Sequence, residues 1–186
     1  MQLGNDIVDL KIDSTIRPRF IERILHPEEV LRYPTIQNDP VLVWTLWAAK
    51  ESAFKAYRQN NMRYFIPNLW AVDLQNNRVQ FGTQSWILKV ECTGDAVAAT
   101  CSSSEMDFIS VVRTSETELS PRDQSALSRD VLKELTQRYA PRAVLSKDEG
   151  GVPRLTMDDE IIPFSMSHHG RHVFVSLALP NQSPLH

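Results

Sequence analysis

The sequence predicts an α+β fold, and three observations support this class. Residues 41–59 have apolar side chains at helical spacing, with neither proline nor glycine inside the segment. Residues 69–112 form a series of short β-like segments that are separated by turn residues. A second helical pattern, at residues 123–139, is also followed by strand-like segments. Each half of the chain therefore offers one helix backed by a few antiparallel strands.

The first half begins with a short strand and a broken helix. Polar and apolar residues alternate over residues 6–10, which predicts the strand. Residues 17–33 look helical, but Pro27 interrupts them and starts a new first turn, which two glutamates follow. A proline-bounded loop then leads to the helix at residues 41–59, the strongest in the chain.

The strands that follow predict an antiparallel meander, because short polar turns separate them. They are expected at residues 69–74, 78–81, 86–92, 96–102 and 108–113. A polar stretch at residues 114–121 is the predicted connection between two lobes, residues 1–118 and residues 119–186.

The second lobe is expected to open with the helix at residues 123–139. An isolated strand near Val144, a turn at Gly150-Gly151 and two further strands, at residues 161–167 and 172–179, follow. Residues 180–186 are expected to fray.

Composition narrows the function classes. The chain has 186 residues, 42% hydrophobic and 23% charged, as expected of a folded globular protein. A net charge of -3 argues against nucleic-acid binding, which needs many surface cations. Six basic residues between positions 119 and 147 could form a modest anion-binding surface or simply a solvated helix face: Arg122, Arg129, Lys133, Arg138, Arg142 and Lys147.

Compartment and membrane association can also be predicted. The two cysteines, Cys92 and Cys101, lie in strand-like segments and provide no disulfide framework. The first ten residues lack the basic start and apolar run of a signal peptide, and no segment is apolar enough to span a membrane. We therefore expect a cytoplasmic protein.

Three residues have the chemistry of a metal and phosphate site. Glu51 and Lys55 are four residues apart in the strong helix, so they share one face. Spacing alone is also satisfied by a surface ion pair, but apolar neighbours such as Trp47 and Phe54 make a charged pair costly there. Asp6 follows Gly4, which permits close approach of a ligand or a backbone. Asp6 and Glu51 together would suit Mg²⁺, although Asp6 could equally face solvent on a strand edge.

A serine and histidines occur at a predicted strand end. Ser167 and His168 are suited to donating hydrogen bonds to phosphate oxygens, whereas His169 and His172 are expected to be packing or surface residues. A structural zinc site is disfavoured, because this segment is predicted to form a strand, a turn and a second strand, and no further residue is spaced to serve as a third ligand. A serine hydrolase is disfavoured too, because no nucleophile-elbow glycines surround Ser165 or Ser167.

These segments resemble the signature of the 4'-phosphopantetheinyl transferase superfamily. The segments are Gly-Asn-Asp-Ile at residues 4–7, Trp-Ala-Ala-Lys-Glu-Ser-Ala-Phe-Lys at residues 47–55 and Pro-Phe-Ser-Met-Ser-His at residues 163–168. The lobe order is reversed relative to the two-lobed form of the family, since the Ser-His segment comes last. The resemblance therefore implies a circularly permuted pseudo-dimer of two similar lobes, and hence a monomer.

The resemblance also implies an activity and site residues. The reaction would move the phosphopantetheine arm of coenzyme A to a serine of an apo acyl or peptidyl carrier protein and release 3',5'-ADP. Asp6 and Glu51 would hold Mg²⁺, Glu51 would help deprotonate the serine, and Lys55 would contact the phosphate. Ser167 and His168 would bind the coenzyme A phosphates, with Arg171 as a further candidate.

Two departures from the family pattern affect these assignments. Val8 replaces a third acid of the long form, which leaves two carboxylates as metal ligands. Val152 replaces a lysine that long forms carry, so Arg122, Arg129 or Arg154 would have to recognise the 3'-phosphate of coenzyme A. An acidic carrier would dock on basic residues just after the first strand, namely Arg17, Arg19 and Arg23.

Two other functions are compatible with the sequence. One is a catalytically silent homologue that binds carrier protein or coenzyme A as a scaffold. The other is an unrelated Mg²⁺-dependent phosphate enzyme.

Overall fold

The fold combines helices and antiparallel strands. The computed structural model describes residues 1–12, 16–59, 61, 64–147 and 153–180. In these residues the helices are α1 (Pro18–Ile24), α2 (Pro27–Arg32), α3 (Pro40–Arg58) and α4 (Pro121–Tyr139). The strands are β1 (Leu3–Asp9), β2 (Ala71–Asp73), β3 (Arg78–Phe81), β4 (Gln84–Thr93), β5 (Ala96–Ser102), β6 (Phe108–Thr114), β7 (Val144–Lys147), β8 (Pro153–Met157), β9 (Glu160–Ile162), β10 (Phe164–His169) and β11 (His172–Ala178).

The strands form three antiparallel sheets. The first has the order β1-β5-β4-β3-β2, so β1 forms one edge and β2 the other. The second has the order β10-β11-β6, and the third β7-β8-β9. Helix α3 packs across β1 and β5 of the first sheet, while α4 packs on β10 and β11 of the second. This supports the α+β class and a helix on a small sheet in each half.

Three sequence-based expectations about the strands were wrong. The segment expected to end the meander, β6, leaves the first sheet and pairs with β11 instead. The strand near Val144 is not isolated, because β7 pairs with β8, a strand that the sequence analysis missed. The strand expected at residues 161–167 is divided into β9 and β10 at Pro163, which has no N–H to donate to a ladder.

The position of β6 also bears on the lobe boundary. The predicted boundary near residue 118 puts β6 with the first lobe, whereas its hydrogen bonds join it to the second sheet. The division into two lobes and the internal pseudo-dimer remain predictions. The Gly150-Gly151 turn, Val152 and the end of the tail lie outside the described residues.

Helix α3 is fixed at its start and along its buried face. Asp39 caps it by accepting a hydrogen bond from the N–H of Leu42 at 2.9 Å, and Pro40 occupies the first helical position. Its inner face joins a core rich in aromatic rings, in which Tyr57 packs edge-on against Trp70 and Trp86. The helix therefore provides a rigid support for the charged residues it carries.

A buried ion pair joins α3 to the two preceding helices. Lys50 is fully buried, and its Nζ lies 2.6 Å from Oε2 of Glu29 on α2 and also donates to the carbonyl of Ile24 at the end of α1. Glu29 in turn accepts hydrogen bonds from the N–H groups of His26 and Val72. One buried pair thus connects α1, α2, α3 and β2.

Strand β1 is buried along its whole length because it lies between α3 and the second sheet. Gly4 faces α3 so closely that an added Cβ would be 2.0 Å from the carbonyl oxygen of Ser52 and 2.5 Å from the nitrogen of Ala56. This confirms the expectation that Gly4 allows close approach, here of two backbones. Neighbouring residues face the opposite way, so β1 contacts both halves of the molecule.

No helix in the described part of the chain is both long and apolar enough to cross a membrane.

Candidate active site

Asp6 and Lys55 form a close ion pair between β1 and α3. Lys55 Nζ donates to Oδ1 of Asp6 at 2.6 Å, and the Asp6 side chain is only 12% exposed. The close packing at Gly4, two residues earlier, brings the strand near enough to the helix for this contact. Burial raises the pKa of Asp6, and the Lys55 ammonium opposes that rise.

Glu51 lies on the same face of α3, one turn before Lys55. Burial raises the pKa of Glu51 to about 7, and the negative charge of Asp6 contributes to the rise while Lys55 opposes it. The charges of the two carboxylates therefore act on each other. The structure brings together Asp6, Glu51 and Lys55, as the sequence predicts.

His168 extends this group from the second sheet. Its side chain opens to solvent on one side, and its pKa is lowered by partial burial and then by the positive charge of Lys55. Ser167 is different, because its side chain is buried and its Oγ has no hydrogen-bond partner among the described residues. Of the two residues predicted to contact phosphate, His168 is the one that is open to a ligand.

A groove of about 590 Å³ runs beside His168. Its walls come from α4, β7, the start of β8 and β10, and it is lined by Ser125, Ser128, Arg129, Leu132, Leu145, Ser146, Lys147, Pro153, Met166 and His168. Its charged or titratable groups, Arg129, Lys147 and His168, are all basic, and no described lining residue is acidic. A basic groove of this kind would attract an anionic ligand.

The other arginines proposed from the sequence lie elsewhere. Arg154 lines a smaller groove, of about 200 Å³, beside Met1 and Gln59. Arg171 makes a bidentate ion pair with Asp9, in which Nε lies 2.8 Å from Oδ2 and Nη2 lies 2.9 Å from Oδ1. The Arg171 side chain is thus held by Asp9 and is only 12% exposed.

Two of the other basic residues in the 119–147 region also have partners outside the groove. Arg142 pairs with Asp158, and Arg138 stacks over the ring of Tyr139. Arg129 and Lys147 are thus the members of that set that line the groove beside His168.

Asp6 and Glu51 fit a divalent cation of the Mg²⁺ type. Carboxylate oxygens are hard donors, and Mg²⁺ needs only one or two of them together with water and phosphate oxygens. Burial raises the pKa of both carboxylates, and a bound cation would favour their ionised forms. Among the described residues no group of three or more histidine, cysteine or acidic side chains could hold a metal.

Sequence reasoning missed the residues that join β1 to β10. Asn5 is fully buried, and its N–H donates to Ser165 Oγ at 2.9 Å. At the other end of the strand the N–H of Asp9 donates to Nδ1 of His169, also at 2.9 Å. The sequence carried no clear signal for these contacts, because alternating polar residues in a strand usually indicate a solvent-facing side, whereas β1 is buried throughout.

Comparison with known proteins gives one match. A family model described as "4'-phosphopantetheinyl transferase superfamily" matches residues 2–101, just over half of the chain, including Asp6, Glu51 and Lys55. No curated protein and no solved structure matches the chain.

Proposed function

Since the chain belongs to the 4'-phosphopantetheinyl transferase superfamily, we propose that it transfers the 4'-phosphopantetheine arm of coenzyme A to a serine of an apo acyl or peptidyl carrier protein. The reaction would be Mg²⁺-dependent and would release 3',5'-ADP. The observation that carries the proposal is the meeting of Asp6, Glu51 and Lys55 beside a basic groove. These are the groups that a metal-bound pyrophosphate needs.

Asp6 and Glu51 are proposed to hold Mg²⁺. The ion, when bound, would neutralise negative charge on the pyrophosphate of coenzyme A. Lys55 is only partly exposed and already faces Asp6. From there its ammonium group can also donate to the phosphate being transferred and stabilise the charge that develops on the departing oxygen.

Glu51 is proposed to accept the proton of the carrier serine, directly or through one water. The serine oxygen bonds to the phosphorus of the phosphopantetheine arm, and the bond from that phosphorus to the 3',5'-ADP oxygen breaks. Before a cation binds, burial raises the pKa of Glu51, and a carboxylate with a raised pKa is a better proton acceptor.

The nucleotide end of coenzyme A is proposed to lie in the groove beside His168. Arg129 and Lys147 offer positive charge for its phosphates, and His168 connects the groove to the Lys55 side of the site. Among the arginines proposed from the sequence for the 3'-phosphate, the groove favours Arg129. A role for Ser167 requires its buried hydroxyl to become accessible.

The carrier protein is proposed to dock on α1 and α2. Arg17, Arg19 and Arg23 are exposed on and just before α1, and would attract an acidic partner. On α2 the side chains of Val30 and Leu31 are exposed by 53% and 84%, which adds an apolar contact surface. A monomer and a cytoplasmic location are part of the same proposal.

Incubation with coenzyme A, Mg²⁺ and a panel of apo carrier proteins tests the function. We expect mass spectrometry to detect the addition of one phosphopantetheine arm to the carrier, and no addition with Glu51→Gln or in the presence of EDTA. Arg142→Ala, which removes an exposed arginine paired with Asp158, is the matched control and should keep full activity. If no carrier gains mass but coenzyme A binds, the scaffold function replaces the transferase. If neither occurs, both are wrong.

A further inference from the structure

Strands β1 and β10 run side by side without forming a backbone ladder. They belong to different sheets. Nevertheless, the N–H of Asn5 donates to Ser165 Oγ and the N–H of Asp9 donates to Nδ1 of His169, each at 2.9 Å. In both contacts the partners are 160 residues apart in sequence. A constant offset means that the strands are parallel, with Ile7 level with Ser167.

Asn5 makes the larger set of contacts. Its side-chain Nδ2 lies 3.2 Å from the carbonyl oxygen of Ser165, 3.2 Å from that of Phe174 and 3.0 Å from Ser176 Oγ. One fully buried side chain therefore reaches both β10 and β11. The Asn5 Oδ1 is buried and has no hydrogen-bond partner among the described residues, so the amide is held through its Nδ2. A shift of the strands would leave this buried donor unpaired as well, which favours one relative position.

This register determines which functional groups meet. Asp6 directly follows Asn5, and His168 is three residues beyond Ser165. A slip of one residue would move His168 by about 3.3 Å along β1. Such a displacement would exceed the tolerance of a catalytic site, where about 1 Å can cost about a hundredfold in rate.

We propose that Asn5 is a positioning residue that sets the register of β1 against β10, the register in which His168 lies level with Val8, two residues along the strand from Asp6. The proposal rests on the proposed transferase function for its kinetic consequence. The register itself is a statement about structure and can be measured separately.

The first test is kinetic and uses Asn5→Ala in the full chain. We expect kcat for transfer to fall by about tenfold or more, while the dissociation constant of 3',5'-ADP, measured by calorimetry, stays within about twofold because the groove lies in the second half. The control is Val72→Ala, which removes buried methyl groups from β2, at the opposite edge of the first sheet. It should lower stability without lowering kcat.

The second test does not depend on activity. Hydrogen exchange measured by mass spectrometry should be faster in residues 3–9 and 164–169 of Asn5→Ala, and unchanged there in Val72→Ala. Ser176→Ala removes a side-chain acceptor of Asn5 Nδ2 and should give the same pattern if Asn5→Ala does not fold.

Unchanged exchange in both segments, or unchanged kcat in a folded Asn5→Ala protein, overturns the proposal. A fall in kcat that merely follows the unfolded fraction also overturns it. If the wild-type protein neither transfers nor binds 3',5'-ADP, the transferase function fails, and the exchange result still decides the register.

Discussion

Replacement of Lys50 by methionine tests the buried ion pair that holds α3 in place. The change removes the ammonium group that lies 2.6 Å from Glu29 and leaves the carboxylate buried beside only two backbone N–H groups. Breaking a buried pair by removing one partner costs about 3–5 kcal/mol. For a chain of 186 residues this corresponds to a fall of about 8–13 °C in Tm.

Urea unfolding monitored by tryptophan fluorescence is the assay, because Trp70 and Trp86 are buried in the core beside α3. Lys89→Met is the matched control. Lys89 pairs with Glu91 at 2.8 Å, but both side chains are 62% exposed, so its loss should cost less than about 1 kcal/mol.

A double variant separates the destabilisation caused by the unpaired buried carboxylate of Glu29 from that caused by lost packing of Lys50. Adding Glu29→Gln to Lys50→Met removes the unpaired carboxylate while keeping one amide oxygen for the N–H of Val72. We expect the double variant to be at least about 1 kcal/mol more stable than Lys50→Met alone. The reasoning is refuted if Lys50→Met costs no more than Lys89→Met, or if Glu29→Gln lowers the stability further.

Three further predictions follow from the packing and charges around β1. Gly4→Ala should destabilise the fold by about 1–3 kcal/mol in urea unfolding, because its Cβ would collide with the α3 backbone, whereas Gly94→Ala, with open space around it, should cost less than about 1 kcal/mol. Mg²⁺ affinity, measured by calorimetry, should weaken as pH falls below about 7, because protonation of Glu51 competes with the ion; the same affinity at pH 6 and pH 8 would contradict the assignment. Burial alone would raise the pKa of Asp9, but hydrogen bonds from Arg171 hold that pKa well below its usual range. The free energy of unfolding should therefore fall as the pH drops below about 5 and passes the pKa of about 4 that Asp9 has in the unfolded chain. Asp9→Asn should reduce that pH dependence, and an unchanged acid profile would refute the role of this ion pair.

The local elements were largely predictable because their signals are short-range. Pro27 divides the first helical segment into α1 and α2, as expected from the missing N–H of proline. Helix α3 lies within one residue of its predicted bounds. Glu51 and Lys55 share a helix face by periodicity alone, so their proximity needed no tertiary information.

The pairing of strands was less predictable, because it depends on contacts far apart in sequence. The sequence of β6 does not indicate whether its partner strand lies in the first sheet or in the second. Its actual partner, β11, lies about 60 residues later in the chain. The same applies to the groove. Lys147 appeared only as one of six basic residues until the fold placed it beside His168.

By itself the sequence determined the α+β class, the residues that carry the charges, and the family to which the first half belongs. Periodicity, proline and glycine positions and short motifs encode these features locally. Only the tertiary structure decided that Arg171 pairs with Asp9, that Ser167 is buried while His168 is open, and that Asn5 joins the two halves. Burial and long-range hydrogen bonding fix these outcomes, and both arise only when residues about 160 positions apart in the chain come into contact.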